Sequence, residues 1–507
     1  MSFLSNNAAA IAVGAVLSTL AWMFGGLRGD LLVPVVPWLF AVLVEMLVCF
    51  PQRHAGESTY EARERVWYAI RKDPLTWMVV GFLALLAVPF INNGLCVDCD
   101  AAQIAQGADP APAVPFLPFC VDRLDHLNVF LWFMAALPAT LVVRHSLTPG
   151  GKRLVLEIVV WNGAALAALG FVQHALGAPG PLWSEASGLF KRDGSQAAVD
   201  VFFSTFGYTN IAGCYFTMLF GVAVALWRRT CDQLRAERAA KDISHTATKR
   251  PHAFWEKHYF LIPSVLFFYA ALNTLSRAAI VLVAACATIY ILHAFASFLA
   301  RLKHRVQRVR AMAAGLFGLV ALGIVVSLFM PDGVQQEVGT LGSFEMLDRV
   351  TGRGQYHSRV ATEIWKEHKL FGCGGWGYAH LSRGKLQPGE SLQTVGGINV
   401  HSDCLQFLAE HGLVGFGTLV AIVVALVWPV GRTWRRLARE ARFAKPKEPL
   451  AKPEQIFVLP AGAFCLLLAA LATVVHSFCD CPLRSPAVLA LFFVILAALP
   501  GFMPNEE

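Results

Sequence analysis

The chain has 507 residues, of which 56% are apolar and only 15% are charged, and this composition excludes an ordinary soluble enzyme. The formal net charge of +8 does not by itself indicate nucleic-acid binding, because basic residues in a membrane protein are distributed according to topology. We therefore expect an all-α polytopic membrane protein with no nucleic-acid partner.

Twelve apolar runs predict the membrane spans, since a helix needs roughly 20 mostly apolar residues to cross the hydrocarbon core. They cover residues 8–25, 31–50, 74–91, 127–143, 154–172, 208–227, 258–273, 277–299, 311–330, 405–430, 456–478 and 485–500. The first run lacks the basic stretch and cleavage site of a signal peptide, so we interpret it as a retained span. The predicted organisation is a nine-helix membrane region (1–330), a loop subdomain (331–404) and a three-helix membrane region (405–507).

The distribution of basic residues predicts the orientation in the membrane. If the N-terminus is cytoplasmic, 29 of the 42 Lys and Arg residues fall in cytoplasmic loops and 13 fall on the opposite side. This asymmetry follows the positive-inside rule. We expect both termini in the cytoplasm, membrane lipids as partners of the basic clusters, and segment 331–404 on the outward face.

Segment 331–404 is the longest connection between the runs, and long loops on one face often carry function. Val360 and Ile364 are four residues apart, which predicts a short amphipathic helix over 359–368. Four glycines then occur in the seven residues 371–377, which favours a close approach of backbone to another element. His401 comes just before the tenth run, near the expected membrane surface.

The residues around His401 form a motif. The run Val400-His-Ser-Asp-Cys-Leu-Gln-Phe-Leu-Ala-Glu-His-Gly-Leu-Val-Gly415 resembles the His-Asn/Ser signature and the Glu-x-Gly-Leu-x-Gly of the O-antigen ligase and O-antigen polymerase family. Upstream, Arg359 to Trp365 followed by Gly372 to Gly377 is similar to that family's Arg-then-Trp helix and Gly-x-Gly turn.

Two further stretches are similar to the same family. Thr274-Leu-Ser-Arg-Ala278 resembles its Ser-Arg-Gly/Ala motif at an outward helix end. Phe206-Gly-Tyr-Thr-Asn210 resembles its Phe-x-Asn-x-Asn element, with Tyr208 and Thr209 in place of the usual residues. The motifs cover residues 200–430.

The resemblance implies a fold of about twelve transmembrane helices with one large periplasmic loop between helices nine and ten. It also implies metal-independent glycosyl transfer at the periplasmic face of the bacterial inner membrane, without a cofactor. The expected donor is a glycan on undecaprenyl diphosphate, and the expected acceptor is a hydroxyl of lipid A-core or of another glycan.

The chemistry of that donor can be compared with the residues that the chain offers. A diphosphate leaving group needs cations that stabilise its growing negative charge, and the planar fork of arginine binds phosphate oxygens bidentately. Arg277, Arg353 and Arg359 are the candidates for this role, with Arg349 after them. Each also has a structural alternative, since Arg277 could anchor a helix end and the loop arginines could be solvated.

The acceptor hydroxyl needs a general base, and histidine has the side-chain pKa nearest to neutral pH. His401 is our candidate catalytic base, against the alternative of an interfacial or capping residue. Asp403 either orients His401 or caps the helix that follows, with capping favoured, and Asn210 is a weaker candidate. His476 and Asp480 could line a lipid-entry groove, although structural hydrogen bonding is the default interpretation of His476.

Two metal or disulfide hypotheses remain from the first long outward loop. Asp98 and Asp100 have the Asp-x-Asp spacing of some metal-dependent glycosyltransferases, but three residues are weak support and we expect no metal. A disulfide among Cys96, Cys99 and Cys120 is possible, but the sequence does not decide the pairing, and Cys96 and Cys99 alone could instead hold zinc.

We therefore predict an O-antigen ligase-like inverting glycosyltransferase acting on lipid A-core. An O-antigen or exopolysaccharide polymerase and a protein O-oligosaccharyltransferase of the same family are the alternatives within this class. The rivals from other classes are a polytopic transporter or flippase, whose polar residues would collect at the bilayer midplane, and a non-catalytic scaffold.

Overall fold

The protein is described by a computed structural model. The structure describes residues 3–26, 29–92, 114, 116–183, 202–244, 254–302, 304–328, 332–340, 344–385, 387, 399–443 and 459–504. Within these ranges the regular structure is helical, with one isolated bridge between Phe203 and Phe206. The all-α class is confirmed for this part of the chain.

The α-helices are numbered in chain order. The first nine are α1 (Phe3–Asn6), α2 (Ala8–Trp22), α3 (Gly29–Val48), α4 (Thr59–Lys72), α5 (Pro74–Ala87), α6 (Arg123–Leu141), α7 (Pro149–Ala175), α8 (Thr209–Ser244) and α9 (Phe254–His258). The other nine are α10 (Leu261–Asn273), α11 (Arg277–Arg301), α12 (Arg305–Leu328), α13 (Asp332–Thr340), α14 (Phe344–Glu367), α15 (Gly377–Leu381), α16 (Asp403–Phe443), α17 (Ala461–Cys479) and α18 (Pro486–Ala498).

Each of the twelve predicted apolar runs coincides with one of these helices. By length and composition, seven helices of the described residues could cross a membrane, or eight if one bent pair counts as a single span. α2, α10 and the helical segment 486–502 are apolar but shorter. The polytopic character is therefore supported, while the predicted number of twelve spans stays a prediction.

One helix lies where the sequence analysis placed only a connecting loop. α4 begins with a capping box, in which the Ser58 side chain accepts from the backbone of Glu61 and the Glu61 side chain accepts from the backbone of Ser58. α4 meets the helical segment 74–90 at an angle of 68°. Asp73 and Pro74 form this corner, since Asp73 caps the next helix and Pro74 is its first residue.

The core of the membrane region forms around α8 and α18. α8 packs against α10 and α17, and its apolar residues are buried for almost six turns. α18 is buried along all of its 13 residues and packs against α6. A helix that is apolar all round, as α18 is, is stable only inside such a bundle.

The described part of segment 331–404 packs around a second apolar cluster. The predicted helix over 359–368 is wrong in extent, because the observed helix α14 runs from Phe344 to Glu367. The buried residues of this cluster are Phe119, Tyr356, Val360, Ala361, Ile364, Cys373, Tyr378, Leu381, Val400 and Ala409. Val360 and Ile364 are part of it, as their spacing predicted, and Phe119 and Ala409 join it from outside segment 331–404.

A glycine permits a break in α16, the helix that follows His401. Gly412 has φ 62° and ψ −171°, a backbone conformation that residues other than glycine rarely adopt. A Cβ atom at this position would lie 2.3 Å from the backbone carbonyl of Leu370. Gly412 therefore allows the loop backbone to touch the helix backbone directly.

The segment 369–374, which we call the splice, fills this break with hydrogen bonds. The N–H groups of Cys373 and Gly374 donate to the carbonyls of Ala409 and Glu410, at 3.2 and 2.8 Å. In return the N–H groups of Leu413 and Val414 donate to carbonyls of the splice at 2.9 and 3.0 Å. The predicted close approach at the glycine-rich turn is observed, and its partner is the backbone of α16.

Candidate functional site

His401 lies in the turn that leads into α16. Its backbone has φ 54°, in the left-handed region, so the chain bends sharply immediately before the helix. The side chain is 34% exposed, while its neighbours Val400 and Ser402 are buried. His401 is thus fixed by buried flanks and remains accessible from outside.

Asp480, just after α17, holds the ring of His401. Its Oδ1 lies 3.4 Å from Nδ1 of His401 and accepts from the backbone N–H of Cys481 at 2.7 Å. Burial would raise the pKa of the Asp480 carboxyl, but the hydrogen bond and charge of His401, the N–H of Cys481 and the charge of His476 together lower the pKa below its usual value. Asp480 is therefore an ionised partner that can orient an imidazole and stabilise its positive charge.

Two residues of the Phe-x-Asn-x-Asn-like element support Asp480 from the other side. The Tyr208 hydroxyl lies 3.3 Å from Oδ2 of Asp480, and the Asn210 amide donates to the same oxygen. Burial, followed by the charge of Asp480, raises the pKa of Tyr208 far above its usual value, so its phenol remains a hydrogen-bond donor. Tyr208, which departs from the family pattern, thus belongs to this network together with the predicted Asn210.

The loop subdomain contributes a second histidine. His357 of α14 is buried, and its ring meets that of His401 edge to face at a centroid distance of 5.4 Å. Its Nδ1 lies 2.8 Å from the hydroxyl of Tyr378 on α15. The ring of His401 is therefore flanked by α14 as well as by Asp480, a contact that the sequence analysis missed.

Arg277 is the first residue of α11. The Ser276 side chain caps this helix by accepting from the N–H of Ala279 at 3.3 Å, and the Nε of Arg277 pairs with Glu337 of α13 at 2.5 Å. A Cβ atom on Gly213, one turn beyond Asn210 on α8, would lie 3.2 Å from Cβ of Ser276. Arg277 therefore lies at the same end of the bundle as the network of Asp480.

Arg359 is carried by the helix that also carries His357. Its guanidinium lies 5.3 Å from the ring centre of Tyr356 and 3.4 Å from a carboxylate oxygen of Glu363. Arg349 and Arg353 are on the same helix, but their side chains lie outside the part of the chain that the structure describes. Their predicted role stays a prediction.

Asp403 and His476 are both buried. The carboxylate that contacts the ring of His401 belongs to Asp480, whereas Asp403 is buried and its Oδ2 accepts from the N–H of Leu483 at 2.9 Å. Asp403 instead joins the start of α16 to the turn after α17. His476 and Asp480 are buried, at 1% and 4% exposure, so neither lines an exposed groove.

A buried ion pair lies beside the splice and was also missed. Nη2 of Arg484 lies 2.5 Å from Oε2 of Glu410, with side-chain exposures of 2% and 0%. The Arg484 guanidinium packs between the rings of Trp376 and Phe407, with its carbon 5.0 and 5.4 Å from their centres. Through these contacts the ion pair connects the glycine-rich turn, α16 and the turn before α18. Together these elements hold His401 and Asp480 in position.

Two clusters in the described residues bring metal-ligand atoms within 4.8 Å of one another. One cluster consists of His401, Asp480 and Cys481. Burial, followed by the charge of Asp480, raises the pKa of the Cys481 thiol. The higher pKa disfavours the thiolate form that binds a metal. The other is Asp122, Asp125 and His380, in which Asp122 caps α6 and Asp125 pairs with His380. Cys96, Cys99, Asp98 and Asp100 lie outside the described residues.

The comparison with known families agrees with the sequence motifs. Residues 262–420, less than half of the chain, match the family model described as O-Antigen ligase. This segment contains Arg277, Arg359 and His401, whereas Asp480 and the residues around Tyr208 lie outside it. No curated protein matches the chain. The segment that carries the candidate base and the candidate arginines is therefore a domain of the O-antigen ligase family, as the resemblance implied.

Proposed function

We propose that the protein is an inverting glycosyltransferase of the bacterial inner membrane that moves a glycan from undecaprenyl diphosphate to a hydroxyl of lipid A-core. The observation that carries the proposal is that His401, which lies in the segment matched by the O-antigen ligase family model, contacts the buried carboxylate of Asp480. The active site would face the periplasm, with both termini in the cytoplasm. The distribution of Lys and Arg supports this orientation.

His401 acts as the general base in this proposal. If Nδ1 donates to the ionised Asp480, then Nε2 carries the lone pair that accepts the proton of the acceptor hydroxyl. The charge of Asp480 would then stabilise the imidazolium that forms. This division of labour between base and orienting carboxylate is the one known from serine protease triads.

The transfer step is a single displacement. The acceptor oxygen forms a bond to the anomeric carbon of the donor sugar while the bond from that carbon to the diphosphate oxygen breaks. The electron pair of the broken bond goes to undecaprenyl diphosphate, and the hydroxyl proton goes to Nε2 of His401. One displacement without a covalent intermediate inverts the anomeric carbon.

Arginine side chains stabilise the leaving diphosphate in this scheme. Arg277 and Arg359 are half-exposed, so they are available to an anion, and Arg353 and Arg349 are placed on α14 with Arg359. Preorganised cations at the point where negative charge develops lower the barrier without a metal ion. We accordingly propose a metal-independent reaction.

The experiment that tests the function is mass spectrometry of undecaprenyl-linked glycans in the source organism with and without the gene. Accumulation of long polymers on the carrier indicates loss of a ligase, or of a protein O-oligosaccharyltransferase, and analysis of lipid A-core separates these two. Accumulation of single repeat units indicates a polymerase. An unchanged carrier pool would contradict both a transferase and a flippase for this glycan, and would favour a transporter of another substrate or a scaffold.

The role of His401 is tested by complementation with His401→Ala, which should reduce transfer by about 100- to 10,000-fold at normal protein levels. The matched control is His174→Ala, because His174 is an exposed histidine at the end of α7. Full transfer by a well-expressed His401→Ala protein would exclude His401 as the base.

A further inference from the structure

The ion pair between Arg277 and Glu337 joins two elements that are far apart in sequence. Arg277 begins α11, and Glu337 comes from α13, the first helix of the loop subdomain. Their side chains are 40% and 31% exposed, so water reaches both. An exposed pair of this kind contributes little to stability, and it can exchange partners.

The location of this pair favours a negative charge. The N-terminus of α11 carries the positive end of the helix dipole, and Arg277 adds a full charge at the same place. The carboxylate of Glu337 pairs with the guanidinium of Arg277 at this position, where an anion is stabilised. Gly333 of α13 lies against Leu275, so α13 is in contact with the turn that precedes Arg277.

Resting on the proposed function, we propose that Glu337 is a competitor of the donor diphosphate for Arg277. Glu337 holds the guanidinium while the site is empty and leaves it when undecaprenyl diphosphate binds. A diphosphate carries more negative charge than one carboxylate and can use both arms of the guanidinium fork. Glu337 therefore weakens donor binding and sets the affinity of the site for its lipid diphosphate.

The second described candidate arginine shows why this role falls to Glu337. Arg359 pairs with Glu363 on the same helix, four residues away, at 3.4 Å. That carboxylate cannot move away as part of a separate element. Glu337 can, because it belongs to α13 and not to α11.

The test measures binding of undecaprenyl diphosphate to the full-length protein in lipid nanodiscs, which requires no knowledge of the glycan. Glu337→Gln should lower the Kd for undecaprenyl diphosphate about threefold, because the competing charge is removed while the side-chain size is kept. Binding of undecaprenol, which has no phosphate, should be unchanged. The matched control is Glu367→Gln, because Glu367 forms a similar ion pair with Lys385 in the same subdomain at 2.5 Å.

Arg277→Ala separates this inference from the proposed function. If Arg277→Ala weakens binding while Glu337→Gln leaves it unchanged or weaker, the competitor role is overturned and the diphosphate site stands. If neither variant changes the Kd for undecaprenyl diphosphate, Arg277 is not part of the donor site and the inference fails with it. A tighter Kd for undecaprenol in Glu337→Gln would also overturn the inference, because the effect would not depend on phosphate.

Discussion

The histidine end and the arginine end of the candidate site differ in how their side chains are held. His401 contacts Asp480, which is 4% exposed and also accepts hydrogen bonds from Tyr208, Asn210 and Cys481. Arg277 and Arg359 are half-exposed and each pairs with a half-exposed carboxylate. A base must meet one proton in one geometry, whereas cations must exchange one anion for another. The rigidly held His401 therefore suits the proposed proton transfer, and the half-exposed Arg277 and Arg359 suit the proposed exchange of anions.

The largest effect should come from the buried pair that supports the histidine end. Arg484→Met leaves Glu410 as an uncompensated buried charge, which typically costs about 3–5 kcal/mol. We expect the variant to lose most of its folded protein after mild heating, as measured by size-exclusion chromatography. The double variant Arg484→Met with Glu410→Leu removes both charges and should recover most of the folded fraction. If the single variant is as stable as the double variant, the pair does not support the site.

The second prediction concerns the orientation of the base. Asp480→Asn should lower kcat of transfer about 100-fold while the protein stays folded, because an amide cannot stabilise the imidazolium as a carboxylate does. The measurement is single-turnover transfer in nanodiscs. Asp125→Asn is the matched control, since Asp125 also pairs with a histidine, His380, at 2.9 Å but outside the site. Equal losses in both variants would contradict a special role of Asp480.

The pH dependence of Asp480 follows from the same contacts. A carboxyl whose pKa is lowered by folding stabilises the folded state above its unfolded pKa of about 3.9, and this contribution is lost as the pH falls through the lower, folded value. Between pH 5 and 8 Asp480 is ionised in both states. The wild-type protein should therefore lose this contribution only below about pH 4, and Asp480→Asn should remove that acid dependence.

The smallest predicted effect concerns the backbone contact at the break of α16. Gly412→Ala forces an alanine into the left-handed region and against the carbonyl of Leu370, which should cost about 1–3 kcal/mol. The melting temperature should fall, as measured by size-exclusion chromatography after heating. Gly417→Ala is the control on the same helix, because nothing lies within 4 Å of its added Cβ, and it should be neutral or slightly stabilising. A Gly412→Ala protein as stable as the control would show that the splice tolerates a side chain.

Sequence patterns predicted the parts of this molecule that depend on local chemistry. The apolar runs gave the positions of twelve of the helices, and the spacing of Val360 and Ile364 gave the buried face of α14. The four glycines of 371–377 indicated a close backbone approach but not its partner, because the partner lies about 35 residues further along the chain, in α16.

The partners of His401 depend on tertiary contacts that no spacing reveals. Asp403, two residues away, was the local candidate for orienting the ring, but the helix that begins there turns its carboxylate toward Leu483. Asp480 is 79 residues away, and a backbone hydrogen bond of 3.2 Å from Asp403 to Asp480 joins the start of α16 to the end of α17 near His401. The signal that could have found it was an acidic residue at the end of an apolar run.

The splice has a consequence for chimeric proteins. The hydrogen bonds that would be lost at Gly412 are restored by residues 369–374, so the backbone groups around the break in α16 and those of the splice satisfy one another. A loop transplanted from a relative without its own helix would leave four backbone groups of α16 unsatisfied. Loop exchange between relatives should therefore give a folded protein only when the loop and the start of the following helix are exchanged as one unit.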